Sequence, residues 1–385
     1  MPRYIFTVME ALALAALALA QPQAPAQSAV SPEVHPDRGI TFRLAAPKAS
    51  EVILQFGEGS PRPYLMKKAG NGVWSVTIGP LEPEIYMYSF LVDGLKAVDL
   101  ANPNAKIGAG IDASVVEVPG TPPRFDELQN VPHGSVNIHT YRSTAQNRQR
   151  GLYVYIPAEY YGPDSRRYPV LYLFHGGGGA ESDWSRNGRA GVILDNLIAQ
   201  KKALPMILVM PNNNFGDPAT VPSAPTSPGF GGGNDYGIAE KEIVNDIIPF
   251  VEKTYRTLPG RENRAIGGLS AGGGTSVTVG MRRLDVFATV IEFSSGLLGG
   301  VAAYAPFDIE KLSPEFYKDP AATNRRLKLL YMSVGAEDPR RPYQVAVADA
   351  FRAHNIAFTF KTFPGVHEWK VWRHSLADLA PMLFR

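Results

Sequence analysis

The chain has no cysteine among its 385 residues, which excludes disulfides, thiolate metal sites and a cysteine nucleophile. It has no Lys/Arg-rich block, and 38 basic against 36 acidic side chains leave a net charge of only +2. Nucleic-acid binding therefore has no electrostatic footprint here. Charged residues make up 19% and apolar residues 45%, a balance that excludes a disordered chain and fits a core-forming one. No internal repeat is evident. The one apolar run of note, Ala11–Ala20, is too short to span a bilayer as a helix.

What that run does suit is a targeting segment. Arg3 precedes it, and Ala18 and Ala20 form an A-x-A site before Gln21. Residues 1–20 are expected to be a signal peptide and the protein to be secreted or periplasmic. Glu10, a charge at the edge of the run, fits this less well, and a frayed apolar terminus is the alternative. Residues 21–33 have the composition of a disordered linker.

The rest of the chain is too long for one ordinary domain. Over residues 34–118 the runs "ITFRLAAP", "EVILQF", "GVWSVTIG", "EIYMYSFLVDG" and "ASVVEV" are short and bounded by turn residues. That spacing predicts a small all-β sandwich. Residues 119–132 read as a linker. Over residues 133–385 strand-like runs ("GLYVYIP", "PVLYLFHGGGG", "PMILVMPN", "RAIGGLS", "ATVIEFSS", "LLYMSVGAED", "AFTFKTFPG") alternate with helical stretches. Ile243, Ile247, Val251 and Tyr255 recur at four-residue steps and mark one buried helix face; Val345–Ala353 and Val371–Leu383 also suit helices. Such alternation predicts an α/β domain with a mostly parallel sheet. Its ligand is then expected at the carboxyl ends of the strands. The longest loop, 212–235, either borders that site or is a surface insert.

One serine is closely surrounded by glycines. Gly268-Leu269-Ser270-Ala271-Gly272 is a G-x-S-x-G stretch with a strand before it and a possible helix after it. This is the context of a nucleophile elbow, whose sharp turn needs small neighbours. A serine hydroxyl needs a base. His367 lies just past the last predicted strand, whereas His354 and His374 read as ordinary helix-surface residues. Glu368 follows His367, but Val371 stands where a zinc-protease H-E-x-x-H motif needs its second histidine. Asp338, again just past a strand, is the candidate to hold the imidazole. Glu337 is its nearest substitute, and Asp308 and Asp319 are weaker ones. An oxyanion needs preset N–H donors: the His175–Gly179 turn suits one, and the backbone of Ala271 the other. Trp184, Phe215, Phe230, Phe293 and Trp369, near predicted strand ends, are candidates to line an acyl pocket.

Through "LYLFHGGGG", "ENRAIGGLSAGGG", "VGAED" and "PGVHEWKVWRHSL", residues 133–385 resemble the feruloyl-esterase, esterase D-like branch of carbohydrate esterase family 1. Through "GVWSVTIGPLEPEIYMYSFLVDG" and "DLANPN", residues 34–118 resemble the early-set, immunoglobulin-like module of glycogen-branching enzymes. The likeness implies an α/β-hydrolase domain behind an immunoglobulin-like sandwich. It implies a serine hydrolase with Ser270, His367 and Asp338 as its triad, Gly177 and Ala271 as oxyanion donors, and no cofactor. The implied partner is an ester substrate, a feruloylated or acetylated plant polysaccharide or oligosaccharide, with no nucleic acid and no membrane after signal removal. An acetyl xylan esterase, a siderophore esterase, an acyltransferase of the same fold, or a glycan-binding protein on an inactive scaffold are the alternatives. Leu95 stands where starch-binding relatives tend to carry an aromatic residue, and Trp74, the one tryptophan of that segment, reads as core. A packing or spacer role for the sandwich is therefore as well founded as glycan binding.

Overall fold

The computed structural model describes residues 30–107, 110–216, 235–298 and 305–385. The expected signal peptide, most of the linker after it, and the centre of the 212–235 loop with Phe230 lie outside the described residues.

The N-terminal region is all β. Its strands are β1 (Glu33–Val34), β2 (Ile40–Ala45), β3 (Val52–Phe56), β4 (Arg62–Leu65), β5 (Lys67–Lys68), β6 (Val73–Ile78), β7 (Glu84–Val92), β8 (Leu95–Ala97), β9 (Ala105–Ile107) and β10 (Ile111–Val118). They form two antiparallel sheets in the orders β1-β2-β6-β5 and β4-β3-β7-β10-β9, with β8 paired to β7. Alternation along each strand sends every second side chain inward. Ile40 and Phe42 of one sheet thereby share a core with Val52, Leu54, Tyr88, Phe90 and Val116 of the other, as in a sandwich. Trp74 belongs to that core and donates its indole N–H to the Ala46 carbonyl (2.9 Å). Leu95 is exposed.

The second region is α/β. Its strands are β11 (Ser135–Ser143), β12 (Arg148–Ile156), β13 (Val170–Phe174), β14 (Ile207–Pro211), β15 (Arg264–Gly268), β16 (Thr289–Phe293), the short β17 (Leu297–Leu298) and β18 (Ala305–Pro306), β19 (Leu329–Gly335) and β20 (Thr359–Phe363). Its helices are α1 (Asp183–Arg186), α2 (Ala190–Ala199), α3 (Tyr236–Glu242), α4 (Ile248–Thr254), α5 (Ala271–Arg282), α6 (Ile309–Leu312), α7 (Pro320–Arg326), α8 (Arg341–Ala353) and α9 (Trp369–Leu379). The main sheet runs β11-β12-β14-β13-β15-β16-β19-β20. It is antiparallel at the β11-β12-β14 end and parallel from there on. Both faces are covered, so a central strand such as β13 is buried throughout: Val170, Tyr172 and Phe174 enter one core, Leu171 and Leu173 the other. This double burial is why the central strands read as unbroken apolar runs.

There are two local departures. Ser135–Ser143, not among the expected strands, is the edge strand β11, along which more and less exposed side chains alternate. Between α3 and α4 the helix widens into a π turn over Ile243–Ile247, with Ile248 N–H bonded to the Ile243 carbonyl. Pro249, which has no N–H, falls where the next α-helical bond would form. Ile243, Ile247, Val251 and Tyr255 nevertheless all stay in the core.

The two regions are packed together. Met87 of β7 joins the α/β core beside Tyr155, Trp369 and Trp372. Arg373 of α9, 1% exposed, pairs with Glu84 of β7 (2.6 Å) and with Asp126 of the connecting segment (2.8 Å).

Candidate active site

Ser270 lies between the end of β15 and the start of α5 with φ 52° and ψ −118°, a conformation that costs a non-glycine residue roughly 1–3 kcal/mol and needs surrounding structure to hold it. That structure is visible. The Ser270 N–H donates to the Phe293 carbonyl of the neighbouring strand (2.8 Å), and the Leu269 N–H to the Phe174 carbonyl (3.1 Å). A Cβ on Gly272 would stand 2.6 Å from the Phe174 carbonyl oxygen, and one on Gly268 would run into the Gly272 backbone. The glycines around the serine are thus required by close backbone packing of helix on strand. Ser270 is 2% exposed and its Oγ has no hydrogen-bond partner among the described residues.

Asp338 and His367 follow β19 and β20, which lie beyond β16 in the sheet. β19 and β20 pair in parallel up to Gly335 and Phe363, so the loops that follow them start side by side. Ala336 N–H donates to the Phe363 carbonyl (2.7 Å) and Glu337 N–H to the Gly365 carbonyl (3.0 Å). Glu337 spends its carboxylate on the Gly365 N–H (2.6 Å), and Asp308 and Asp319 are helix N-caps. Asp338 is the carboxylate that meets His367, Oδ2 to Nδ1 at 2.9 Å, and its Oδ1 accepts the Arg340 N–H (2.8 Å). Burial by itself would raise the Asp338 pKa; the hydrogen bond and charge of His367, helped by the Arg340 N–H, outweigh it and hold the carboxyl below its ordinary value. The His367 ring meets Trp372 edge to face (centroids 5.0 Å apart).

The glycine-rich turn after β13 runs beside the serine: a Cβ on Gly176 would lie 3.3 Å from the Ser270 Cβ. Gly179 N–H closes the turn onto the Gly176 carbonyl (3.3 Å), and Gly177 is exposed at its tip. Ala271 is the first residue of α5, where a helix leaves its N–H groups without internal partners. His175 pins the turn. Its Nε2 accepts the Asn213 N–H (2.8 Å), so its proton sits on Nδ1, within 2.7 Å of the Gly176 carbonyl. Burial pushes its pKa down to about 4, so it stays neutral.

The aromatic candidates turn out differently. Trp184, Phe215, Phe293 and Trp369 are each at most 3% exposed. Trp184 packs on Phe293 (5.8 Å) and Trp369 (5.3 Å), and Phe215 on Phe174 (5.9 Å). They fill the cores instead of opening onto a pocket: Phe293 is the last residue of a strand buried on both faces, Trp184 and Trp369 pack from α1 and α9, and Phe215 packs from the loop after β14. His374, expected on a helix surface, is half-buried against Phe125 (4.6 Å).

One buried acid had no sequence signal. Glu292, the penultimate residue of β16, is 1% exposed, and burial pushes its pKa up to about 8. The Gln344 amide, oriented by its neighbours, donates to Glu292 Oε1 (3.0 Å) and accepts the N–H of Ser295 (2.7 Å) and Gly296 (3.3 Å). This network fastens the loop that follows Phe293, the residue whose carbonyl holds the Ser270 backbone. Glu292 sits in an apolar strand, and only its tertiary neighbours mark it.

Comparison with known proteins identifies the family. A family model described as "Putative esterase" matches residues 143–383. The chain is 30% identical over 371 residues to an endo-1,4-beta-xylanase/feruloyl esterase of Xylanibacter ruminicola, covering 92% of this chain and 46% of that protein. It is 27% identical to endo-1,4-beta-xylanase Y of Acetivibrio thermocellus over 65% of this chain and 23% of that one. The chain thus spans about half or less of the length of these two curated relatives. Among solved structures, the feruloyl esterase module from Clostridium thermocellum complexed with sinapinate superposes with a TM-score of 0.56 at 25% identity, over 68% of this chain and 91% of that one. The enterobactin esterase from Shigella flexneri shares the fold alone, with a TM-score of 0.64 at 14% identity over 89% of this chain and 92% of that one.

Proposed function

The chain belongs to the esterase family, and we propose on that premise that it is a serine carboxylester hydrolase working through Ser270, His367 and Asp338. The observation that carries the proposal is the Asp338–His367 hydrogen bond of 2.9 Å at the same carboxyl end of the parallel strands as the strained turn of Ser270. In this reading His367 Nε2 takes the Ser270 proton while Oγ attacks the ester carbonyl. The Gly177 and Ala271 N–H groups receive the oxyanion. The alcohol leaves with the proton held by His367, and a water, deprotonated by the same imidazole, releases the acid and restores the serine. Asp338 keeps the proton of the resting imidazole on Nδ1 and stabilises the cation formed at each step.

For the substrate, the proposal is a hydroxycinnamoyl ester of plant cell-wall xylan, cleaved outside the cytoplasm. The support is the xylanase/feruloyl esterase relative, whose likeness runs through the sandwich as well as the α/β region. A siderophore ester is the second reading, favoured by the enterobactin esterase fold, which also extends over both regions. A fluorophosphonate probe tests the chemistry without assuming either substrate. It is expected to label the wild-type protein at Ser270 and to leave Ser270→Ala unlabelled; wild-type protein that does not react would favour an inactive scaffold.

A further inference from the structure

The sandwich reaches the loop that carries His367. Between β3 and β4 the chain turns through Gly57-Glu58-Gly59, with φ of 109° at Gly57 and 74° at Gly59. Glycine adopts this left-handed backbone without strain, and the tight turn projects Glu58 towards the α/β region. Glu58 Oε2 accepts the N–H of Trp369, the first residue of α9, at 3.0 Å across 311 positions of sequence. The helix has no side-chain cap of its own, since Glu368 at the cap position makes no such bond. Glu58 Oε1 is held in turn by Lys106 of β9 (3.3 Å). A Cβ on Gly59 would lie 3.9 Å from Val366, the residue before His367.

An unpaired N–H in the first turn of a helix takes a carboxylate cap from whichever element offers one. Here the cap fixes a helix start two residues after His367. Trp369 is wedged between Trp184 (5.3 Å) and Trp372 (5.2 Å), and Trp372 carries the edge of the His367 ring. The path from Glu58 to the imidazole is therefore one hydrogen bond and two aromatic contacts.

We propose that Glu58, from the sandwich, is a positioning residue for His367, so that the sandwich completes the active-site scaffold of the α/β region. This rests on the reading of His367 as the base. It gives the sandwich a part in the chemistry that neither glycan binding nor a spacer role would require.

The test compares Glu58→Ala and Glu58→Gln in the full chain, by kinetics on methyl ferulate and by proton NMR of the histidine Nδ1–H bonded to Asp338, assigned by its loss in His367→Asn. Glu58→Ala is expected to lower kcat roughly tenfold or more with KM little changed, as a displaced catalytic group does, and to shift or broaden the His367 resonance. Glu58→Gln, whose amide oxygen can still accept the Trp369 N–H, is expected to recover most of both. Wild-type kcat and an unmoved resonance in Glu58→Ala, even with a lower Tm, would overturn the proposal. If the wild-type protein shows no Ser270-dependent turnover, the esterase reading fails on its own, and the resonance alone still decides whether Glu58 orders His367.

Discussion

Asp338 Oδ2 lies 2.9 Å from His367 Nδ1, with the Asp338 side chain fully buried and that of His367 14% exposed. A buried carboxylate that spends one oxygen on an imidazole and the other on the Arg340 N–H has little freedom, and it imposes that order on the ring.

Asp338→Asn should keep the packing but lose the tautomer. An amide can donate to Nδ1 and so place the imidazole proton on Nε2, the nitrogen that the proposed mechanism needs free to take the serine proton. The expected loss in kcat is roughly a thousandfold to ten-thousandfold, with thermal unfolding little changed. Steady-state kinetics with a melting curve on the same preparation checks it, and a loss below about tenfold would remove Asp338 from the mechanism.

Gly272→Ala reverses a familiar sign. In an exposed helix this change stabilises by about 1 kcal/mol. Here the new methyl would press on the carbonyls of Phe174 and His175, behind the glycine-rich turn. Overpacking of this kind costs roughly 1–3 kcal/mol. Urea unfolding should show a lower midpoint, and esterase activity should fall with it.

Glu292 predicts a pH dependence of stability. Its folded value of about 8 lies above its ordinary 4.5, so the native state holds the proton more tightly than the unfolded chain. Its contribution is complete below pH 4.5 and is lost as pH rises towards 8, with a slope of up to about 1.4 kcal/mol per pH unit. Glu292→Gln removes this dependence. Its stability relative to wild type should therefore improve steadily from pH 5 to 8; parallel curves for the two proteins would contradict the assignment.

The candidate residues that could be picked from sequence share one property: each follows a strand. Ser270, Asp338 and His367 stand just past β15, β19 and β20, and a parallel sheet gathers such positions at the carboxyl ends of its strands. What could not be read is contact between elements far apart in the chain. Glu58 lies in a glycine-flanked loop between two strands of the sandwich, Glu292 stands in an apolar strand, and nothing local says that Trp184 and Phe293 meet beneath the strand ends. Trp184, Phe215, Phe293 and Trp369 are core residues for that reason, since nearness to a strand end does not say whether a ring faces substrate or core.

The central claim is that Ser270 performs ester hydrolysis, and initial rates on methyl ferulate for wild type and Ser270→Ala, with acetylated xylan run alongside, test it most directly. The account predicts hydrolysis of the ferulate by the wild-type protein and its loss in a folded Ser270→Ala. Equal rates in the two proteins would contradict it.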